Sequence, residues 1–317
     1  MSSDRPRPTI SAPPRRPPVA FGPVAEGWGS WDWVGADIRR ELARQGLDAR
    51  EFAAWDVPDA AVVVLVKHAP PPAWAEAVAR RSALVYAPID RYGSAGEIDA
   101  DAGLLRRCAR VVIHCERLRR YFEPYAAVEF MDHHVKFVAS MQAEFRDEGE
   151  ILWAGVRTNL PPLVAWVNSH PPPRPLRVLT NPEDPASVPT PEALGFRRGL
   201  EVAVERWTPE RHLECSGSAR AFLDVKGDDF RSRNKPPAKG IDAIASGLPL
   251  AIESGSSTAE HLARMGFDAC PPEDVDRWLS RAYWEETRRF GAALRELLSL
   301  ERIGRRYGML VRRVSTR

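Results

Sequence analysis

The chain has 317 residues, room for two domains of ordinary size. Its 45 Lys and Arg nearly balance 43 Asp and Glu, which argues against a general nucleic-acid binder. No apolar run approaches the ~20 residues that cross a bilayer, and the N-terminus lacks the apolar core of a signal peptide. Cys108, Cys115, Cys215 and Cys270 are scattered, without metal-ligand spacing or the density of a disulfide framework, so a reducing cytoplasm is the expected setting.

Residues 1–18 are rich in Pro and Arg and read as a flexible tail. A short strand is expected at 19–21. Gly22, Gly27 and Gly29 follow it, and a helix is expected over 34–45. This opening lacks the Gly-x-Gly-x-x-Gly fingerprint, so it does not call for a nicotinamide cofactor. Trp28, Trp31 and Trp33 crowd the same loop, where aromatics suit stacking on a sugar or base, or packing into the core.

Strands and helices then alternate. The β-branched run at 61–66 reads as a strand buried on both faces, followed by a helix over 72–81. A strand at 84–89 runs into Asp90, a helix covers 98–107, and further strands fall at 111–114 and 128–130. Such repeats imply a parallel sheet whose ligands sit beyond the carboxyl ends of the strands. His68, Asp90 and the pair His133-His134 all follow strands at that edge. Adjacent strand residues point to opposite faces, so the two histidines do not suit one metal. His68, near a carboxylate such as Asp90, suits a hydroxyl contact or a general base.

A charged stretch at 144–150 precedes a second series. Strands are expected at 151–155, 176–179, 202–207 and 221–225, with helices at 159–168 and 209–215. The polar loop 226–233 then leads into Asn-Lys-Pro-Pro-Ala-Lys-Gly-Ile-Asp-Ala-Ile-Ala-Ser-Gly-Leu-Pro-Leu-Ala, residues 234–251. Its prolines suit a helix's first turn, and Gly247 suits the helix end before a strand at 248–252. Lys235, Lys239 and Asp242 are spaced to share one helical face, whereas Ile241, Ile244 and Ala245 lie mostly on another. Two cations near a positive helix end suit a diphosphate, and one carboxylate suits a pair of sugar hydroxyls. A nucleotide-sugar carries both groups; a solvated helix face accounts for the spacing equally well.

Beyond the motif, 257–265 carries a capping-box start, a short strand is expected at 267–269, and 274–281 and 285–306 read as helical.

The segment 234–251 resembles the donor-binding helix of GT-B glycosyltransferases, especially the retaining, nucleotide-sugar-dependent (group 1, or family 4-like) enzymes. There a lysine-rich turn leads into an acid, a small-residue stretch, Gly-x-Pro and a hydrophobic strand. The family's acid is typically a ribose-binding glutamate, where Asp242 stands. A second glutamate near the donor sugar has its counterpart in Asn234. The resemblance implies an α/β fold of two Rossmann-like domains with parallel sheets facing a central cleft. Residues 19–145 would form the acceptor domain and 146–284 the nucleotide-sugar domain, with 285–317 a C-terminal helix crossing back to the first.

It also implies roles. Arg157, Arg233, Lys235 and Lys239 would hold the donor diphosphate, and Asn234 and Asp242 its ribose and sugar. Gly27, Gly29 and Trp31 would form the acceptor loop, with His68 and Asp90 as the catalytic candidates. A retaining enzyme needs no strong protein base, since the leaving diphosphate takes the acceptor proton. No metal and no cofactor are expected beyond the co-substrate, foremost a UDP-sugar. The acceptor would be a small molecule, a glycan or a modified nucleic acid. Other readings are a catalytically inactive GT-B module that binds nucleotide or glycan, a sugar-nucleotide epimerase, and a glycosyltransferase acting on hydroxymethylpyrimidine bases of DNA.

Overall fold

The computed structural model describes residues 18–182 and 187–316. The Pro/Arg-rich tail expected at 1–18 lies almost wholly outside the described residues. Two parallel sheets form the frame, the architecture expected from the resemblance.

The first sheet contains β1 (Val19–Gly22), β2 (Ala49–Glu51), β3 (Val62–Val66), β4 (Ala83–Ala87), β5 (Arg110–Ile113) and β6 (Val128–Phe130), in the order β2-β1-β3-β4-β5-β6. β3 reads Val-Val-Val-Leu-Val and is buried along its whole length, as a run covered by helices on both faces must be. The chain runs from β1 to β2 on one side and returns to β3 on the other, so a topological switch point lies between β1 and β3. β2 is a short, largely exposed edge strand without an apolar pattern to announce it.

The second sheet contains β7 (Ile151–Ala154), β8 (Leu176–Thr180), β9 (Val202–Arg206), β10 (Ala221–Asp224) and β11 (Leu250–Ile252), in the order β11-β10-β7-β8-β9. Its switch point lies between β7 and β10. The strand expected at 267–269 reduces to a single bridge between Ala251 and Cys270.

Two helices close the chain, Arg281–Leu297 and Leu300–Ser315. The continuous helix expected over 285–306 is broken at Ser299, whose hydroxyl accepts from the Arg302 amide and caps the last helix. Gly291 brings the first of these against the Ile244 carbonyl of helix Ala238–Ala245, where a Cβ would clash with that carbonyl. Gly304 likewise lets Leu300–Ser315 lie close on Glu41 of helix Asp37–Arg44, so the chain's end packs on the first domain. Among the described residues no helix is long and apolar enough to cross a membrane.

Candidate functional site

In open parallel sheets the crevice at a switch point is the natural ligand site, because adjacent loops diverge there. At the β7/β10 point, Asp224 ends β10 and is 1% exposed. Its carboxylate is paired with Lys226 at 2.6 Å and Lys239 at 3.4 Å. Lys239 also donates to the Ala154 carbonyl at 3.0 Å, and its ammonium lies 4.9 Å from the centre of the Trp153 ring. Lys235 reaches Asn159 Oδ1 at 2.5 Å. Two lysines therefore converge on one buried acid, and a third lies beside them on a neutral partner.

The electrostatics follow from that imbalance. Lys239 is pushed down to about 8 by burial, with Asp224 opposing the shift and Lys226 and Lys235 adding to it. Lys235 is lowered by burial and by Lys226, against the pull of Asp90 and Asp224. Burial works against ionised Asp224, but the two lysines hold its carboxyl below the usual range. Glu253, just past β11, is pushed up to about 7 by burial and by Asp224, while the Lys226 amide, donating to both its oxygens at 3.1 and 2.9 Å, opposes the rise.

The first domain borders the loop that carries this cluster. Contacts across the domains are direct. The Arg117 guanidinium donates to both Glu260 oxygens at 2.7 and 2.5 Å, to the Gly255 carbonyl at 2.7 Å and to the Arg233 carbonyl at 3.1 Å. Arg231 donates to the Arg91 carbonyl at 3.1 Å.

The residues expected from sequence separate into several groups. Lys235 and Lys239 come together, though not on one helical face: the helix begins at Ala238, so Lys235 lies in the turn before it. Arg157 sits on the turn leaving β7, where its amide donates to Asn181 Oδ1 at 3.2 Å. Arg233 is exposed and pairs with Asp228 at 3.1 Å. Asn234 is buried, and its side chain donates to the Phe230 carbonyl at 2.7 Å, closing a short helical turn rather than presenting its amide to the cleft.

Asp242 is placed differently from the expectation. It is 3% exposed, and its two oxygens accept from the backbone amides of Lys136 and Phe137 at 2.9 and 3.1 Å. The carboxylate is thus engaged by the segment linking the domains and is not free for a ribose. Burial pushes it up to about 7 despite those amides and nearby Lys136.

The acceptor-side expectations are also redistributed. Trp31 is 4% exposed and belongs to the core, so it cannot line a cleft; Trp28 is the half-exposed tryptophan of that loop. Gly27 adopts φ +76° in open space and lets the loop turn before Trp28, while Gly29 lies at the start of the following helix. Asp90 accepts from Lys67 at 2.9 Å instead of meeting His68, so the proposed imidazole–carboxylate pair does not form. The His68 ring meets Trp28 edge-on at 6.0 Å, and burial, Lys67 and Arg91 lower its pKa. His134 contacts Asp37 at 3.1 Å, and His133 is enclosed between His114 and Trp33. Among the described residues no group of three or more His, Cys, Asp or Glu is arranged to hold a metal.

Sequence reasoning did not single out Asp224, Glu253, Asn159 or Lys67. Their only signal was position, each at or just beyond the carboxyl end of a strand or in the turn that follows it.

No family model and no curated protein matches the chain. Solved structures do. AviGT4, a glycosyltransferase involved in avilamycin A biosynthesis, shares 17% identity at TM-score 0.59, over 95% of this chain and 98% of that one. Anabaena Alr3699/HepE, in complex with UDP and glucose, shares 10% at TM-score 0.61, over 94% and 100%. The GtfA/B complex shares 13% at TM-score 0.56, over 88% of this chain, which spans 60% of that longer one. At these identities the likeness is one of fold, and the fold is GT-B.

Proposed function

We propose that this GT-B chain is a glycosyltransferase that moves a sugar from a nucleotide diphosphate, foremost a UDP-sugar, to a hydroxyl acceptor, with retention and without a metal. The observation that carries the reading is the pairing of Lys226 and Lys239 with the buried acid Asp224 at a switch point of the second sheet, with Lys235 held beside them by Asn159. Their surplus positive charge matches a diphosphate. The structures of AviGT4, a glycosyltransferase, and of HepE with UDP and glucose support the same assignment.

In the reaction the bond between the sugar's anomeric carbon and the β-phosphate oxygen breaks. The acceptor oxygen forms the new glycosidic bond, and its proton passes to an oxygen of the leaving diphosphate. The lysines stabilise the negative charge that builds on that diphosphate, a role that fixed cations in a partly dry cleft perform well. Arg157, on the turn leaving β7, contributes from the same edge. The four cysteines are buried free thiols, which suits a cytoplasmic enzyme.

A second reading, a binding module without turnover, is favoured by Asp242 and Asn234, whose side chains are both held by backbone groups. Incubation with a panel of nucleotide-sugars separates the two. Donor hydrolysis or a product with a new glycosidic bond supports the enzyme; tight nucleotide binding without either supports the module. Conversion of one nucleotide-sugar into another would instead support an epimerase.

A further inference from the structure

A second concavity is built from other elements than the lysine cluster. Phe130 ends β6 and Asp132 lies just past it, and both line one wall. His261 and Arg264, on helix Ser257–Arg264 of the second domain, line another. The turn between the two closing helices completes it with Leu297 and Leu298, and helix Leu300–Ser315 with Met309. The cavity encloses about 770 Å³, within the ~300–1,000 Å³ of small-molecule sites.

Its surface has two characters. Phe130, Met265 and the buried Leu298 are apolar, and they are joined by Leu297 and Met309, which are 48% and 54% exposed. Single exposed apolar side chains are ordinary, but two at one cavity mark a surface that receives an apolar group. The other character is cationic: Arg264, Arg302, Arg305 and Arg306 face only the acids Glu116 and Asp132.

Those two acids are already engaged. One Asp132 oxygen pairs with Arg306 at 2.5 Å, and the other lies 3.2 Å from His261 Nε2. Glu116 pairs with Arg119. Arg302 and Arg305 are held only by Glu296 and Glu301 on the exposed surface, where ion pairs are worth little and exchange readily. Glu260, one turn before Arg264, is taken by Arg117, and among the described residues no carboxylate pairs with Arg264. The cavity therefore holds uncommitted positive charge beside apolar surface.

We propose that this cavity binds a free amphiphilic anion, with its apolar body on Phe130, Leu298 and Met309 and its anionic head on Arg264. A cationic ligand would meet arginines and no available carboxylate. A small inorganic anion would leave the apolar wall uncovered, and a neutral hydrocarbon would leave the arginines without a partner. The site is distinct from the diphosphate site and does not depend on sugar transfer.

The test is calorimetric titration of the full chain with decanoate and with decyl phosphate, each below its micelle concentration. Decanol and decyltrimethylammonium share the tail and serve as neutral and cationic comparisons. At least one of the two anions is expected to bind at one per chain, about tenfold or more tighter than either comparison. Arg264→Gln and Met309→Glu, both at exposed positions, should each weaken it about tenfold, since one removes a charged contact and the other places an acid on the apolar wall. UDP affinity should be unchanged in both variants, which shows that they are folded. Absence of binding by both anions, equal binding of decanol or the cation, or undiminished binding in both variants overturns the site. Sedimentation of the chain with phosphatidylglycerol vesicles, without binding of either free anion, would make this face a membrane contact and would likewise overturn it. Failure of UDP to bind the parent chain would count against the donor assignment alone.

Discussion

Lys136 is bonded to both halves of the molecule at once: its amide donates to Asp242 at 2.9 Å and its ammonium to Asp37 at 2.6 Å. Asp242 belongs to helix Ala238–Ala245, beside the lysine cluster, and Asp37 to the first-domain helix Asp37–Arg44. His134 adds a further contact to Asp37. The segment between the sheets is therefore fastened on each side by a buried carboxylate. Asp37 stays well below the usual range: burial opposes ionisation, but His134, Lys136 and Arg40 outweigh it.

Asp242→Ala is expected to act on stability. It leaves the Lys136 and Phe137 amides without their acceptor, and an orphaned buried donor costs about 1–3 kcal/mol. Urea unfolding should show a loss of about 2–4 kcal/mol, with UDP affinity changed less than about threefold where the variant is folded. Intact stability with UDP affinity lost would return Asp242 to the ligand.

Lys235→Ala is the cleaner probe of the donor site. The side chain bonds neutral Asn159, so its removal strands no acid, unlike the loss of Lys226 or Lys239 beside Asp224. A hydrogen bond to a charged group is worth about 1.5–3 kcal/mol, so UDP affinity should fall about 10- to 100-fold with a near-normal melting temperature. Unchanged UDP affinity would sink the diphosphate assignment.

Acid stability should depend on His114. Burial pushes its pKa down to about 4 from an ordinary 6.5, with the Met131 carbonyl opposing the shift. Below pH 6.5 the unfolded chain takes up a proton that the folded chain refuses. The contribution is thus complete above pH 6.5 and is lost as pH falls toward 4, amounting to about 2 kcal/mol by pH 5. His114→Gln should lose correspondingly less stability between pH 7.5 and pH 5 than the parent chain. Equal losses in the two proteins would show that His114 is not the group responsible.

Much of the frame was legible because it is local. The run at β3 can hardly be anything but a buried strand, and the alternation of such runs with helical stretches points to parallel sheets. Lys235 and Lys239 were legible as a pair because a turn and a helix start lie between them. What escaped depends on distant partners. Nothing near Trp28 or Trp31 states which one meets the core. Asp242 has the spacing of a ligand residue, yet its acceptors' donors lie 106 and 105 positions away in sequence. Asp224 and Glu253 are lone acids after strands, and only the fold gathers lysines around them.

Ribose discrimination follows from the same geometry. A carboxylate that accepts two backbone amides has few lone pairs left for sugar hydroxyls, and Asp242 is directed at the linker. Glu253 is the other acid beside the lysines, but both its oxygens accept from the Lys226 amide, and it is pushed up to about 7. Donor affinity should therefore rest on the diphosphate, with UDP and 2′-deoxy-UDP binding within about threefold of one another by competition titration. A preference for UDP of tenfold or more would require a carboxylate to turn toward the ribose. Its disappearance in Glu253→Gln would identify Glu253, whereas its disappearance in Asp242→Ala would mean that the linker amides release Asp242 when nucleotide binds.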